Sequence, residues 1–245
     1  GCSPAQARIA IGAISKLHSR WWGRTEQAQL DWLNDAPAPT DDEAFRQQYE
    51  QWWGGFYAAA QHQLPAYFVA TSRSLATHAA HLRRHLFHSA PRTLIHRDYQ
   101  LDNLIFRDQP SPQHHPAQGD RAQVGEPQAE VAILDWQFLS RGRGVWDIAY
   151  FLSESLQLPV LSKREVDLAL LRQYHNALCQ EGIAGYPFDQ ALHDFRCALL
   201  QRHVALISTI AAMPFSAAQR HIHLNVLLPR NIAAIRAHNA QEALP

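Results

Sequence analysis

One stretch near the middle of the chain, LIHRDYQLDNLIF (Leu94 to Phe106), constrains the fold more than any other. His96, Arg97, Asp98, Asp102 and Asn103 crowd between the apolar runs Leu94-Ile95 and Leu104-Ile105-Phe106. Those runs have strand length, not helix length, and dense polar residues between two such runs read as a turn. A third short run, Val131 to Leu134, follows further on. Elsewhere the apolar residues recur at helical spacing. The stretch therefore predicts a mostly α protein in which a small β-hairpin carries a polar loop.

The helical segments announce themselves by their starts. Ser3-Pro4-Ala5-Gln6 is a capping box with proline at the first helical position. Ala10, Ile14, Leu17 and Trp21 follow on one face, and Gly23 is a stop. Thr40-Asp41-Asp42-Glu43 predicts a second capping box, with Phe45, Tyr49, Trp52 and Phe56 inward. A third helix is predicted from about Leu64 to His88, with Leu75, Ala79, Leu82 and Leu86 buried. After the strands, helices are predicted from Trp146 to Leu156, behind a capping box at Ser162-Lys163-Arg164-Glu165, from Phe188 to Ala212, and from Ser216 to about Ala240 with a kink at Pro229. The segment from Arg107 to Glu130, rich in Pro, Gln, His and Gly, reads as a long flexible loop joining two strands. Its His114-His115 pair reads as solvated and not as a metal site.

Bulk properties narrow the partners. The 245 residues are read as one unit spanning 1–245. Lys plus Arg and Asp plus Glu both number 22, so no basic field points to nucleic acid or an anionic membrane. No apolar run approaches the roughly 18–20 residues of a membrane span. Cys2, Cys179 and Cys197 form no CxxC pair, which argues for reduced thiols in a cytoplasmic setting, against a disulfide frame and against a zinc site.

Phosphoryl transfer asks a protein to orient a hydroxyl and take its proton, to hold magnesium, and to grip phosphates. A carboxylate meets the first need. A carboxylate with an amide oxygen meets the second, because Mg²⁺ prefers hard oxygen donors. His96-Arg97-Asp98, four further residues and Asn103 have the spacing of a kinase catalytic loop. Asp98 is then the candidate base and Asn103 a candidate metal ligand. The strand Val131–Leu134 delivers Asp135, the candidate second metal ligand.

With both motifs in place, the chain resembles the C-terminal lobe of the protein-kinase-like small-molecule phosphotransferases. That superfamily includes aminoglycoside phosphotransferases, choline kinases and ecdysteroid-kinase-like (CHK-kinase-like) proteins. The resemblance rests on LIHRDYQLDNLIF and on AILDWQFLSRGRGVWDIAYFL, and more softly on ISKLHSRWW and YHNALCQEGIAGYPFDQALHDFRCAL. It implies an ATP- and Mg²⁺-dependent kinase acting on a hydroxyl of a small molecule. It implies that Asp147 and His96 support the loop from behind, and that Ile105 lies beneath the adenine. It also implies that the substrate docks on the C-terminal helices, where Glu154 is a candidate lining residue. The family commonly has Gly where this chain has Arg97. His18 and the Trp21-Trp22 pair read as plain core.

One half of the family's machinery is missing. Lys16 and Lys163 are the only lysines, and neither lies on an apolar strand. Gly54-Gly55 and the Gly142/Gly144 pair do not read as phosphate loops. The N-terminal lobe is therefore absent from the sequence. The chain starts without Met, so further sequence upstream is expected, with the missing lobe supplied in cis or in trans. The lobe alone is expected to be inactive. The alternative is a non-catalytic binding or regulatory module, and a metal-dependent hydrolase built on His96, Asp98 and Asp135 is a third.

Overall fold

Helix α1 (Pro4–Trp21) begins with a reciprocal pair of hydrogen bonds. The Gln6 N–H donates to Ser3 Oγ at 3.3 Å and the Ser3 N–H donates to Gln6 Oε1 at 3.0 Å, so two otherwise orphaned donors are satisfied. Ala10 and Ile14 are buried, Leu17 and Trp21 partly so, and Ala7, Ile11 and His18 complete the inward stripe. Gly23 leaves the helix at φ +66°, where a side chain is disfavoured. The computed structural model describes residues 1–107, 130–157, 160 and 163–244.

Helix α2 (Asp42–Ala60) starts one residue later than the capping box predicts. Asp41, not Thr40, is the cap, and its Oδ1 accepts from the N–H groups of Glu43 and Ala44 at 2.8 and 3.2 Å. A carboxylate at a helix N-terminus gains from the dipole as well as from the hydrogen bonds, so it displaces the neighbouring hydroxyl. Helix α3 (Ala66–Phe87) buries Leu75, Ala79, Leu82 and Leu86 on one face.

The strands differ from the expectation of a single hairpin. β1 (Thr93–Ile95) pairs antiparallel with β4 (Ser140–Gly142), and β2 (Leu104–Arg107) pairs antiparallel with β3 (Glu130–Ile133), giving two separate two-stranded sheets. Strand β4 was not legible because Ser-Arg-Gly carries no apolar alternation. Its burial is made possible by Arg141, whose guanidinium donates to the carbonyls of Thr25, Leu30 and Leu33. Arg107 and Glu130, read as loop, are the last ladder pair of β2–β3. The rest of that loop, 108–129 with His114 and His115, lies outside the described residues.

Helices α4 (Val145–Ser155), α5 (Arg164–Gln180), α6 (Phe188–Ala212), α7 (Ala217–Ile222) and α8 (Leu228–Ala237) follow. Ser162, the predicted cap of α5, lies outside the described residues, and Lys163 stands at the cap position without a side-chain hydrogen bond. Between α7 and α8, just ahead of the predicted kink at Pro229, lies a π-helical turn (His223–Leu227). Pro229 sits in the first turn of α8, and the widened turn ahead of it accommodates the missing N–H. Helix α6 is buried on most sides and packs against α2, α3, α4 and α8, while α1 packs on α5. One continuous apolar core runs through these helices. Among the described residues no helix is long and apolar enough to cross a membrane.

Candidate functional site

The polar loop is built from its buried end outward. Strand β1 is fully buried, and the chain leaves it at Ile95. Asp147, in the first turn of α4 and wholly buried, meets the next two residues. Its Oδ2 accepts from the His96 N–H at 2.7 Å and its Oδ1 from the Arg97 N–H at 2.9 Å. Its Oδ2 also accepts from His18 Nε2 at 3.2 Å, and His18 Nδ1 faces the Tyr174 hydroxyl at 3.1 Å. A carboxylate only accepts, so His18 Nε2 carries a proton. Every oxygen of this buried charge is thus used, which is the condition for burying it. The clamp leaves no room for a side chain at Gly144: a Cβ there would fall 2.2 Å from Tyr174 Oη and 2.6 Å from His18 Nδ1.

The clamped loop takes an unusual backbone. Arg97 has φ +69°, a left-handed conformation that costs a non-glycine residue about 1–2 kcal/mol. Its guanidinium lies 5.7 Å from the Phe87 ring centre. Glycine adopts this conformation freely, so the geometry accounts for a glycine preference at such a position. His96 is fully buried and joins the loop to the far strand pair. Its Nε2 donates to the Leu134 carbonyl at 2.8 Å, and its Nδ1 accepts from the Asp98 N–H at 3.3 Å. Tyr99 plugs the loop into the core, its hydroxyl donating to Ala10 O at 2.7 Å, and the Leu101 N–H donates to Ser155 Oγ at 2.9 Å.

Asp98 and Asn103 are brought into direct contact. Asn103 Nδ2 donates to Asp98 Oδ2 at 3.0 Å and to Asp98 O at 2.9 Å. Both amide hydrogens are thereby spent, leaving Asn103 Oδ1 as a free acceptor among the described residues. Asp98 Oδ1 accepts from the Tyr150 hydroxyl at 2.8 Å and from Gln100 Nε2 at 3.2 Å. Burial raises the Tyr150 phenol well above its ordinary range, so it stays a donor. Behind it, Arg202 stacks on the Tyr150 ring at 4.3 Å and pairs with Glu154.

Glu154 is not a cleft-lining acid. Its side chain is buried, its Oε1 accepts from Arg202 Nε at 2.6 Å, and burial raises its pKa. Nor is Ile105 core: it is 55% exposed. It stands on β2 opposite Ala132, and beyond β3 Leu134, Trp136 and Phe138 are also 43%, 39% and 49% exposed. Asp135 follows directly on Leu134, whose N–H donates to Asn103 O at 2.9 Å. Its backbone is also left-handed, at φ +60°, and its carboxylate is exposed, with Gln137 Nε2 donating to Oδ2 at 3.1 Å. The loop thus presents one carboxylate hydrogen-bonded on both oxygens (Asp98), one free amide oxygen (Asn103 Oδ1) and one exposed carboxylate (Asp135). The last two are hard oxygen donors of the kind Mg²⁺ takes.

Sequence reading placed His18 in the core without a task and overlooked Tyr150 and Ser155. A signal was present in α4: Asp147 and Tyr150 are polar positions one turn apart in its apolar first half. Gly142 and Gly144 serve close packing, Gly142 against Ile95 and Gly144 against His18 and Tyr174. No protein-family model matches the chain, and a search of the curated proteins finds no match.

Proposed function

We propose that this chain is the catalytic C-terminal lobe of an ATP- and Mg²⁺-dependent kinase that phosphorylates a hydroxyl of a small molecule. The observation that carries the reading is the Asp98–Asn103 contact on a loop whose entry is clamped by Asp147 and whose exit is bonded to the residue before Asp135. Asp98 orients the acceptor hydroxyl and takes its proton. Tyr150 and Gln100 hold its Oδ1, and the Asn103 amide holds its Oδ2, so the carboxylate is fixed before substrate arrives. Asn103 Oδ1 and Asp135 are the metal ligands, and the donor set suits a hard cation. Magnesium, when bound, neutralises charge on the transferred phosphoryl group. Ile105 supplies an exposed apolar surface for the adenine. Asp147 and His18 act on the loop backbone and touch no substrate.

The test is phosphoryl transfer from ATP to a panel of hydroxylated small molecules by the natural full-length protein. Asp98→Asn is expected to lower turnover by about 10²–10⁴-fold, with the melting midpoint retained. Turnover unchanged in both Asp98→Asn and Asp135→Asn would sink the proposal. A second reading, a non-catalytic binding module, is favoured by the lysines: Lys16 lies on α1 and Lys163 precedes α5, so neither occupies a strand. Absence of transfer to every acceptor, with no Mg²⁺-dependent nucleotide binding, would favour it.

A further inference from the structure

Away from the polar loop, the end of α3 meets the first half of α6. His85 from α3 and His193 and Cys197 from α6 bring three metal-ligating atoms within 4.8 Å of one another. His193 and Cys197 stand one helical turn apart, so both side chains share a face. Cys197 Sγ lies 3.6 Å from His193 Nε2. Two ligands on a tetrahedral zinc, with Zn–S about 2.3 Å and Zn–N about 2.0–2.1 Å, stand about 3.5 Å apart. The pair is therefore already at ligand spacing.

The third side chain has one ring nitrogen held by a carboxylate. His85 Nε2 donates to Asp194 Oδ1 at 2.7 Å, which leaves the Nδ1 lone pair as its free coordinating atom. A carboxylate holding the far nitrogen of a histidine is the usual outer support of a metal site. Asp194 is itself wholly buried. It accepts from Arg143 Nη1 at 2.6 Å, Tyr186 Oη at 2.8 Å and Gln190 Nε2 at 2.7 Å. Burial works against its charge, but these bonds and the Arg143 cation outweigh it and hold the carboxyl below its usual range.

We propose that His85 Nδ1, His193 Nε2 and Cys197 Sγ bind one zinc-class divalent cation, with solvent in the fourth position. Two imidazoles and a thiolate select a borderline or soft d-block ion over Mg²⁺ or Ca²⁺. The open position is on the His193 side, because His193 is exposed and Cys197 buried. Coordination needs the thiolate, so the ion enters by displacing the Cys197 thiol proton to solvent. The occupied site would lock the C-terminal end of α3 onto α6. A similar pair, His175 and Cys179 on α5, is an internal control. There His175 Nε2 is taken by Tyr186 O at 2.8 Å, and no third ligand joins among the described residues.

The experiment is titration of the chelator-stripped chain with Zn²⁺ against a chromophoric competitor, followed by Co²⁺ as a spectroscopic probe. The expected result is one equivalent bound, a thiolate-to-cobalt charge-transfer band, and a higher melting midpoint with zinc. Cys197→Ala abolishes the band. His193→Gln, at an exposed position that leaves folding intact, weakens zinc by on the order of 100-fold or more. Cys179→Ser binds like the parent. The proposal is overturned if the parent binds no equivalent of zinc, or if binding and the cobalt band persist unchanged in both His193→Gln and Cys197→Ala.

Discussion

The two strand pairs beside the polar loop have similar size and opposite surroundings. Every residue of β1 and β4 is buried, whereas in β2–β3 only Leu104 is. The first pair is anchored by charge: Arg141 and Arg143 are spent on backbone carbonyls, Asp35 and Asp194, and Asp147 grips the loop as it leaves β1. The second pair carries the open apolar side chains and leads to the exposed Asp135. The difference separates two tasks. Desolvated hydrogen bonds on one side hold the loop's shape, and the uncovered side leaves its donors and apolar surface to a ligand. Damage to the first side should register as lost stability, and damage to the second as lost affinity.

The sharpest way to break that contrast is Asp147→Ala. It strands the His96 and Arg97 N–H groups and His18 in the interior, and a loss of about 3–5 kcal/mol is expected by urea denaturation. A loss under about 1 kcal/mol would mean the loop does not depend on its buried end. Next in size is a titration inside the helical bundle, at a histidine on α6 away from the loop. Burial lowers His203 from 6.5 to about 4, with Ser72 and Asn231 at its nitrogens. The unfolded chain then takes up the proton first as pH falls. Stability is therefore full above 6.5 and declines toward pH 4, by on the order of 3 kcal/mol from this group. His203→Gln should flatten denaturation midpoints across that window, and an unchanged slope would assign the acid sensitivity elsewhere. Smaller is Arg97→Gly, which relieves a left-handed residue and is expected to stabilise by up to about 1 kcal/mol, read from the thermal midpoint. Destabilisation would show that the guanidinium over Phe87 outweighs the backbone strain. Smallest is Ile105→Ala, under about 0.5 kcal/mol in stability because the side chain is mostly in water, with weaker nucleotide binding as its visible effect. A core-sized loss of 2 kcal/mol or more would move β2 to the buried side of the comparison.

Much of this arrangement was legible in advance, and the exceptions have physical causes. Helices α1, α3 and α6 follow their apolar spacing because burial of one face decides them. Strand β4 escaped because an arginine, not an apolar side chain, makes its burial possible. The cap of α2 shifted because the Asp41 carboxylate takes the Glu43 N–H that a Thr40 cap would need, and that of Ala44 as well. In the loop, the spacing of Asp98 and Asn103 was visible, but their mutual hydrogen bond and the support from Tyr150 and His18 are long-range facts that local patterns do not carry. The His85, His193 and Cys197 cluster escaped cysteine spacing for the same reason: Cys197 meets His85 only through packing of α3 on α6.

Trp136 has one more consequence. Its indole sits 39% exposed beside the loop, its ring 4.8 Å from the His96 imidazole and its Nε1–H on Ile133 O at 2.9 Å. An indole at the edge of water is an optical probe: its emission moves to the blue when something dry covers it. With the other six tryptophans replaced by phenylalanine, the molecule would carry a fluorescent reporter at the edge of the loop, with no label attached.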